Sequence, residues 1–191
     1  MKKIILILII LFSISCKQKE KQKDFEKNKL TDNFKLVFIS KILSDSTDYK
    51  LLAKPNRFIS NYFDISPQFE NDSLKISHSE YISRILEIND IDYVKEQIKQ
   101  NESFNYNKLA DYGFNMLDVR GLIEKGIIGQ KIIDYTAEKN NYGVLLISIP
   151  IFNKDLNRAY IRLYDFGGET IIFEKINEKW TIKDRIDQYV F

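Results

Sequence analysis

Near Tyr142 the hydrophobic period of this chain changes, and that change constrains the fold more than any other feature. Before it, apolar residues recur at helical spacing. Phe34, Phe38 and Ile42 fall every four residues, with Val37 and Ile39 beside them. Thr31, Asp32 or Asn33 can cap this first helix, and the polar run "SDSTD" ends it. Residues 49–63 form a second apolar cluster broken by Pro55, with Phe58, Ile59, Tyr62 and Phe63 on one side of an expected short helix. "SHSE" (Ser77 to Glu80) has capping-box spacing and opens onto Tyr81, Ile82, Ile85 and Leu86. "NDIDYVKEQIKQN" then places Ile91, Val94 and Ile98 on one face, with Asn89 as its expected cap.

After Tyr142 the runs alternate with a period of two. "GVLLISIPIF", "RAYIRLYDF", "ETIIFEKI" and "WTIKDRI" read as strands, separated by "NKDLN", "GG" and "NEK". Gly167-Gly168 suits a tight hairpin needing positive φ, and a second hairpin is expected near Asn177. Ala159, Ile161 and Leu163 alternate with Tyr160, Arg162 and Tyr164, the pattern of a sheet with one buried face. Helices first and an antiparallel meander last is α+β. Trp180 opens the final strand, with Ile182 on its face, and is expected to close the sheet against Phe34, Phe38 and Ile42. No internal repeat is visible.

The start of the chain has a different logic. "MKK" precedes "IILILIILF", a nine-residue apolar run. As a helix it covers about 14 Å, against roughly 30 Å of hydrocarbon, so it is too short for a durable span. It has the form of a secretory leader over residues 1–15. Ser13 and Ser15 flank Ile14 just before Cys16, the only cysteine in 191 residues. This resembles the lipobox of bacterial lipoproteins, in which a cysteine follows a small residue. It departs from that pattern at Ser13, where leucine is usual. The resemblance implies that the Cys16 thiol carries diacylglycerol, that the leader is cut before it, and that the new amino terminus is acylated. A lone thiol also fits an exported chain that builds no disulfide framework.

Residues 16–31 form a charged tether. "KQKEKQKDFEKNKL" has one aromatic residue and no Gly or Pro. It buries too little apolar surface to offset its ordering entropy and reads as a solvated linker. The sharper alternative is a polybasic strip held against anionic lipid. Extended, it reaches roughly 46 Å, enough to hold residues 32–191, read as one α+β domain, clear of a bilayer. Glu20 is the only acid close behind Cys16, which favours the periplasmic side of the outer membrane over surface display. The formal charge of +2 is unevenly laid out. Lys2 and Lys3 leave with the leader and residues 17–31 carry a net +3, so residues 32–191 are near −3. Such a body is not built to neutralise a phosphate backbone, and nucleic acid is not an expected partner.

A second resemblance lies in residues 88–191. "SIPIFNKDLNRAYI", followed by "FEKINEKW", resembles the end of a family of small uncharacterised Bacteroidetes lipoproteins. These pair a "PIF-x-x-D" run with a final "K-x-x-x-K-W" hairpin and an upstream "D-x-x-Y-x-x-x-Q", which Asp90, Tyr93 and Gln97 satisfy. More loosely, the pattern is similar to cone-shaped folds related to nuclear transport factor 2, where helices cover a curved sheet. The family implies a fold and a compartment, and no activity.

Few chemistries survive inspection. His78 is the only imidazole, so neither a zinc site nor a Ser-His-Asp triad has its usual parts, and no "G-x-S-x-G" elbow is present. "GLIEKGIIGQ" lacks dinucleotide or P-loop spacing. No metal and no cofactor is expected. Carboxylate chemistry needs only two acids at a suitable separation, and Asp165 and Glu169 flank the Gly-Gly turn. Tyr160, Arg162 and Tyr164 could instead line a pocket with aromatic walls and a cationic anchor. Two functions therefore stand: a lipid-anchored envelope module that binds without catalysis, and an envelope hydrolase using a carboxylate pair.

The anchor reading has a direct test. Mass spectrometry of membrane-extracted protein should show a chain beginning at Cys16 with lipid mass on its first peptide. Cys16→Ala should release the protein from the membrane fraction; unchanged membrane association would refute the reading.

Overall fold

The computed structural model describes residues 30–44, 57–61, 76–140, 143–164 and 167–190. The leader, the tether up to Lys29 with Cys16, and Tyr62, Phe63 and Asp165 lie outside them. Asp32–Phe191 forms one compact unit. Its described helices are α1 (Asp32–Ser44), α2 (His78–Ile85), α3 (Ile91–Asn101), a 3₁₀ helix (Tyr106–Tyr112), α4 (Val119–Glu124) and α5 (Gln130–Asn140). Its strands are β1 (Phe58–Asn61), β2 (Asn115–Met116), β3 (Val144–Ile147), β4 (Ile151–Phe152), β5 (Arg158–Tyr164), β6 (Gly167–Ile176) and β7 (Lys179–Val190). They form one seven-stranded sheet in the order β2-β1-β3-β5-β6-β7, with β4 also on β5. The fold is α+β, helices mainly early and the antiparallel meander late.

Two caps and one hairpin follow from local chemistry. Ser77 caps α2, its side chain accepting from the Glu80 N–H at 3.2 Å. Asp90, rather than Asn89, caps α3 by accepting from the Tyr93 N–H at 3.3 Å. Both offer an oxygen to a donor that a helix start leaves orphaned. The β6–β7 hairpin turns on Asn177 and Glu178, with φ of 47° and 64°. Positive φ at both central residues is what a two-residue turn between twisted strands requires.

Other expectations are corrected as well. Residues 58–61 are strand, not helix: β1 pairs parallel with β3 along its length, from Phe58 opposite Val144 to Asn61 opposite Ile147. A four-residue apolar run carries no period that separates the two forms. The β5–β6 hairpin does close beside Gly167-Gly168, on the Tyr164–Gly168 pair, but both glycines belong to β6 rather than to a separate turn. Strand β5 is buried on both faces from Ala159 to Leu163, rather than on one.

One face of β5 and β6, with Tyr160 and Ile172, packs with Ile151 against Ile82 and Leu86 of the α2 segment and Val94 of α3. The opposite face carries Phe173, whose ring lies 5.5 Å from that of Phe38 on α1. Phe38 also meets Trp180 at 4.8 Å and Phe152 at 5.0 Å, all edge-on. Trp180 thus reaches the α1 stripe as its position implied, but remains only half-buried.

The run "GVLLISIPIF" is not one strand. Pro150 cannot donate to a ladder, and β3 and β4 pair in turn with β5 on either side of it. At the kink the Ser148 N–H donates to the Arg162 carbonyl, and the Arg162 N–H donates to Ser148 Oγ, both at 2.8 Å. Beyond β4, Gln97 of α3 stands in for a neighbouring strand. Its Nε2 donates to the Phe152 carbonyl at 2.8 Å, and its Oε1 accepts from the Phe152 N–H at 2.9 Å. Asp90 pairs with Lys154 at 2.7 Å, so the two motifs of the second resemblance meet in space.

Gln97→Leu should keep the volume and lose both bonds. Each orphaned backbone group costs about 1–3 kcal/mol, and urea unfolding should show that loss. Trp180→Ala should cost less than a full core truncation, about 1–3 kcal/mol, with wild-type emission blue-shifted from that of free tryptophan. A water-like emission maximum would contradict the contact with Phe38.

Candidate functional site: a cavity between sheet and helices

The break at Ser148–Pro150 has a consequence on the α2–α3 side of the sheet. A cavity of about 530 Å³ opens there, within the 300–1,000 Å³ usual for small-molecule sites. Tyr160 and Arg162 of β5, Ile151 of β4, Ser148 and Ile149 of the kink and Asn61 at the end of β1 form the sheet wall. His78 and Ile82 of α2, Ile98 and Asn101 of α3, then Glu102, Phe104 and Arg120, form the helical wall.

Tyr160 and Arg162 are almost fully enclosed, at 3% and 5% exposure, so they form the base. The His78 ring sits edge-on to Tyr160 at 6.2 Å, joining the two walls. Glu102 and Arg120 are exposed and stand at the rim. Arg120 has Glu124 at 3.9 Å, one turn along α4, with both side chains largely in water. Such a pair contributes little to stability.

A charge lies behind the helical wall. Lys35 of α1 is 1% exposed. Its Nζ donates to Asn101 Oδ1 and lies 5.9 Å from the centre of the Phe104 ring. Desolvation holds its ammonium below the ordinary lysine range, with Asp32 opposing the shift. The lysine therefore braces two residues of the cavity from the far side.

Of the candidate residues read from sequence, Tyr160 and Arg162 come together in the cavity. Tyr164 is half-buried at the end of β5, opposite Leu146 of β3 and Gly168 of β6, and does not line it. Glu169 is bonded to Arg185 across the β6–β7 ladder. Asp165 lies outside the described residues, so the distance between these two acids is not defined. His78, the only imidazole, is read from the sequence as neither metal ligand nor triad base, and nothing local marks Ser148, Asn101, Glu102 or Arg120, because loops and helix ends far apart in sequence bring them together. Lys35 did carry a signal: it lies three residues before Phe38, on the apolar stripe of α1.

Among the described residues no group of three or more His, Cys, Asp or Glu could hold a metal ion. Nor is any described helix long and apolar enough to cross a membrane. No family model, curated protein or solved structure matches the chain.

Lys35 gives a pH prediction with a definite sign. Its folded value is depressed, so between that value and the ordinary ~10.4 the unfolded chain binds more protons. Its contribution to stability therefore rises as pH rises through that window. Lys35→Met should remove this slope, read as the difference between wild type and variant in unfolding free energy from pH 7 to 10. Identical pH profiles would show that the ammonium is not desolvated.

Proposed function

We propose that this protein is a lipid-anchored envelope component, held through Cys16, whose folded part binds a small molecule without transforming it. The supporting observation is the cavity, with Tyr160 and Arg162 at its base and Glu102 as the one carboxylate among its described lining residues. Glycoside hydrolysis by side-chain acids needs two carboxyl groups about 5–10 Å apart across an open cleft, and this lining supplies one. An aromatic base with a cationic anchor is instead the form of a recognition site. The leader, the lipobox-like Cys16 and the charged tether support placement at the outer membrane facing the periplasm.

Native mass spectrometry of protein released gently from the envelope tests the reading. The folded chain should carry a sub-stoichiometric excess mass of small-molecule size. Ile98→Trp, at a half-buried position on α3, fills the cavity from the side. It should abolish the excess while shifting the melting temperature by only a few degrees. If Ile98→Trp retained the excess mass, the cavity would not be the binding site. Glycan cleavage by the wild type that is lost in Glu102→Gln would replace binding by the hydrolase reading.

A further inference from the structure

The lining also says what kind of molecule the cavity takes. Among its described lining residues are two arginines, Arg162 at the base and Arg120 at the rim, against one carboxylate, that of Glu102. The buried Lys35 ammonium adds a third cation just behind Asn101 and Phe104. A concave site with low-dielectric walls focuses such an excess, and raises the local concentration of anions. An arginine presents five N–H donors in a planar fork, enough to serve a neighbour and an oxyanion together. The rest of the surface points elsewhere: Ile82, Ile98 and Ile151 are apolar, and Tyr160 adds an aromatic wall. A bare inorganic ion would leave that surface in contact with water, and an apolar solute would leave the cations unused.

Resting on the reading of this cavity as a binding site, we infer that its occupant is a small amphiphilic carboxylate. The carboxylate lies between Arg162 and Arg120, and a short apolar body packs on the isoleucines and Tyr160. The two arginines divide the work by position. Arg120 is largely in water and draws the anion in, while Arg162 is enclosed and holds it.

Titration calorimetry on the folded chain with four probes tests this: 4-methylpentanoate, 4-methylpentan-1-ol, 4-methylpentylamine and inorganic phosphate. The carboxylate should bind at least about tenfold tighter than the alcohol, and the amine most weakly; a tenfold ratio is 1.4 kcal/mol. Arg120→Gln, at an exposed position, should weaken the carboxylate severalfold and leave the alcohol unchanged. Arg162→Met should remove most of the remaining preference. An amine binding as tightly as the carboxylate would overturn the anionic class and leave the binding reading standing. Phosphate matching the carboxylate would overturn the apolar body. Carboxylate affinity indifferent to both substitutions would overturn the assignment to these arginines. Failure of all three organic probes would overturn the ligand class, while the excess mass and its loss in Ile98→Trp decide the binding reading separately.

Discussion

Phe152 is where this fold is tied. Its backbone is held by the Gln97 amide, donor to acceptor and acceptor to donor. Its ring takes edge contacts from Phe34 and Phe38 of α1 and lies 5.9 Å from Trp180 of β7. One residue of a two-residue strand thereby joins the first helix, the third helix and the last strand. The arrangement solves a definite problem. β4 is too short to compete as a strand by itself, and the kink at Pro150 separates it from β3. A buried edge with unpaired backbone groups would be costly, so a side-chain amide of the right length takes the place of a neighbouring strand. Glutamate in that place could not donate to the carbonyl, and a shorter asparagine would have to move α3 closer.

The same kink creates the cavity. If "LLISIPIF" ran straight, β3 would continue alongside β5 and its side chains would fill the space below α2. Instead Ser148 turns its hydroxyl oxygen to the Arg162 N–H, and the ladder resumes only at Ile151. Anchor and opening are thus two results of one interruption. Gln97 secures the far side of the break, and the space left on the near side is lined by residues from β1, β4, β5 and three helices. Lys35 belongs to the same economy. Burying an ammonium is expensive, and here the hydrogen bond it donates to Asn101 Oδ1 and the face of Phe104 offset part of that cost.

What the sequence discloses follows how locally each feature is determined. Ser77, the Asn177 turn and the apolar stripe of Phe38 and Ile42 depend on neighbours within a few residues, and they are readable. The pairing of Trp180 with the α1 stripe was also within reach, since alternation and one long-range packing choice suffice. β1 was not readable, because its strand character comes from β2 and β3, more than fifty residues away in sequence. Asp90, Tyr93 and Gln97 could be recognised as a spaced set, but not as the clasp they form with residues 152–154. The cavity was half readable: Tyr160 and Arg162 share a strand face by simple alternation. Their partners His78, Glu102 and Arg120 meet them only through the topology.

The distribution of charge carries the functional argument one step further. Residues 32–191 are net acidic, near −3, while the described lining of the cavity has two arginines for one carboxylate. A uniformly basic domain would attract anions to its whole surface, and would do so less as salt rose. An acidic body with a recessed cationic site repels polyanions at long range and favours a small anion only at the mouth. Screening then acts unequally on the two arginines. Arg120, in water, loses its influence within about a Debye length as ionic strength rises, whereas Arg162, enclosed by protein, keeps most of its own. Recognition by this cavity is therefore expected to depend on shape and on one buried charge more than on the long-range field.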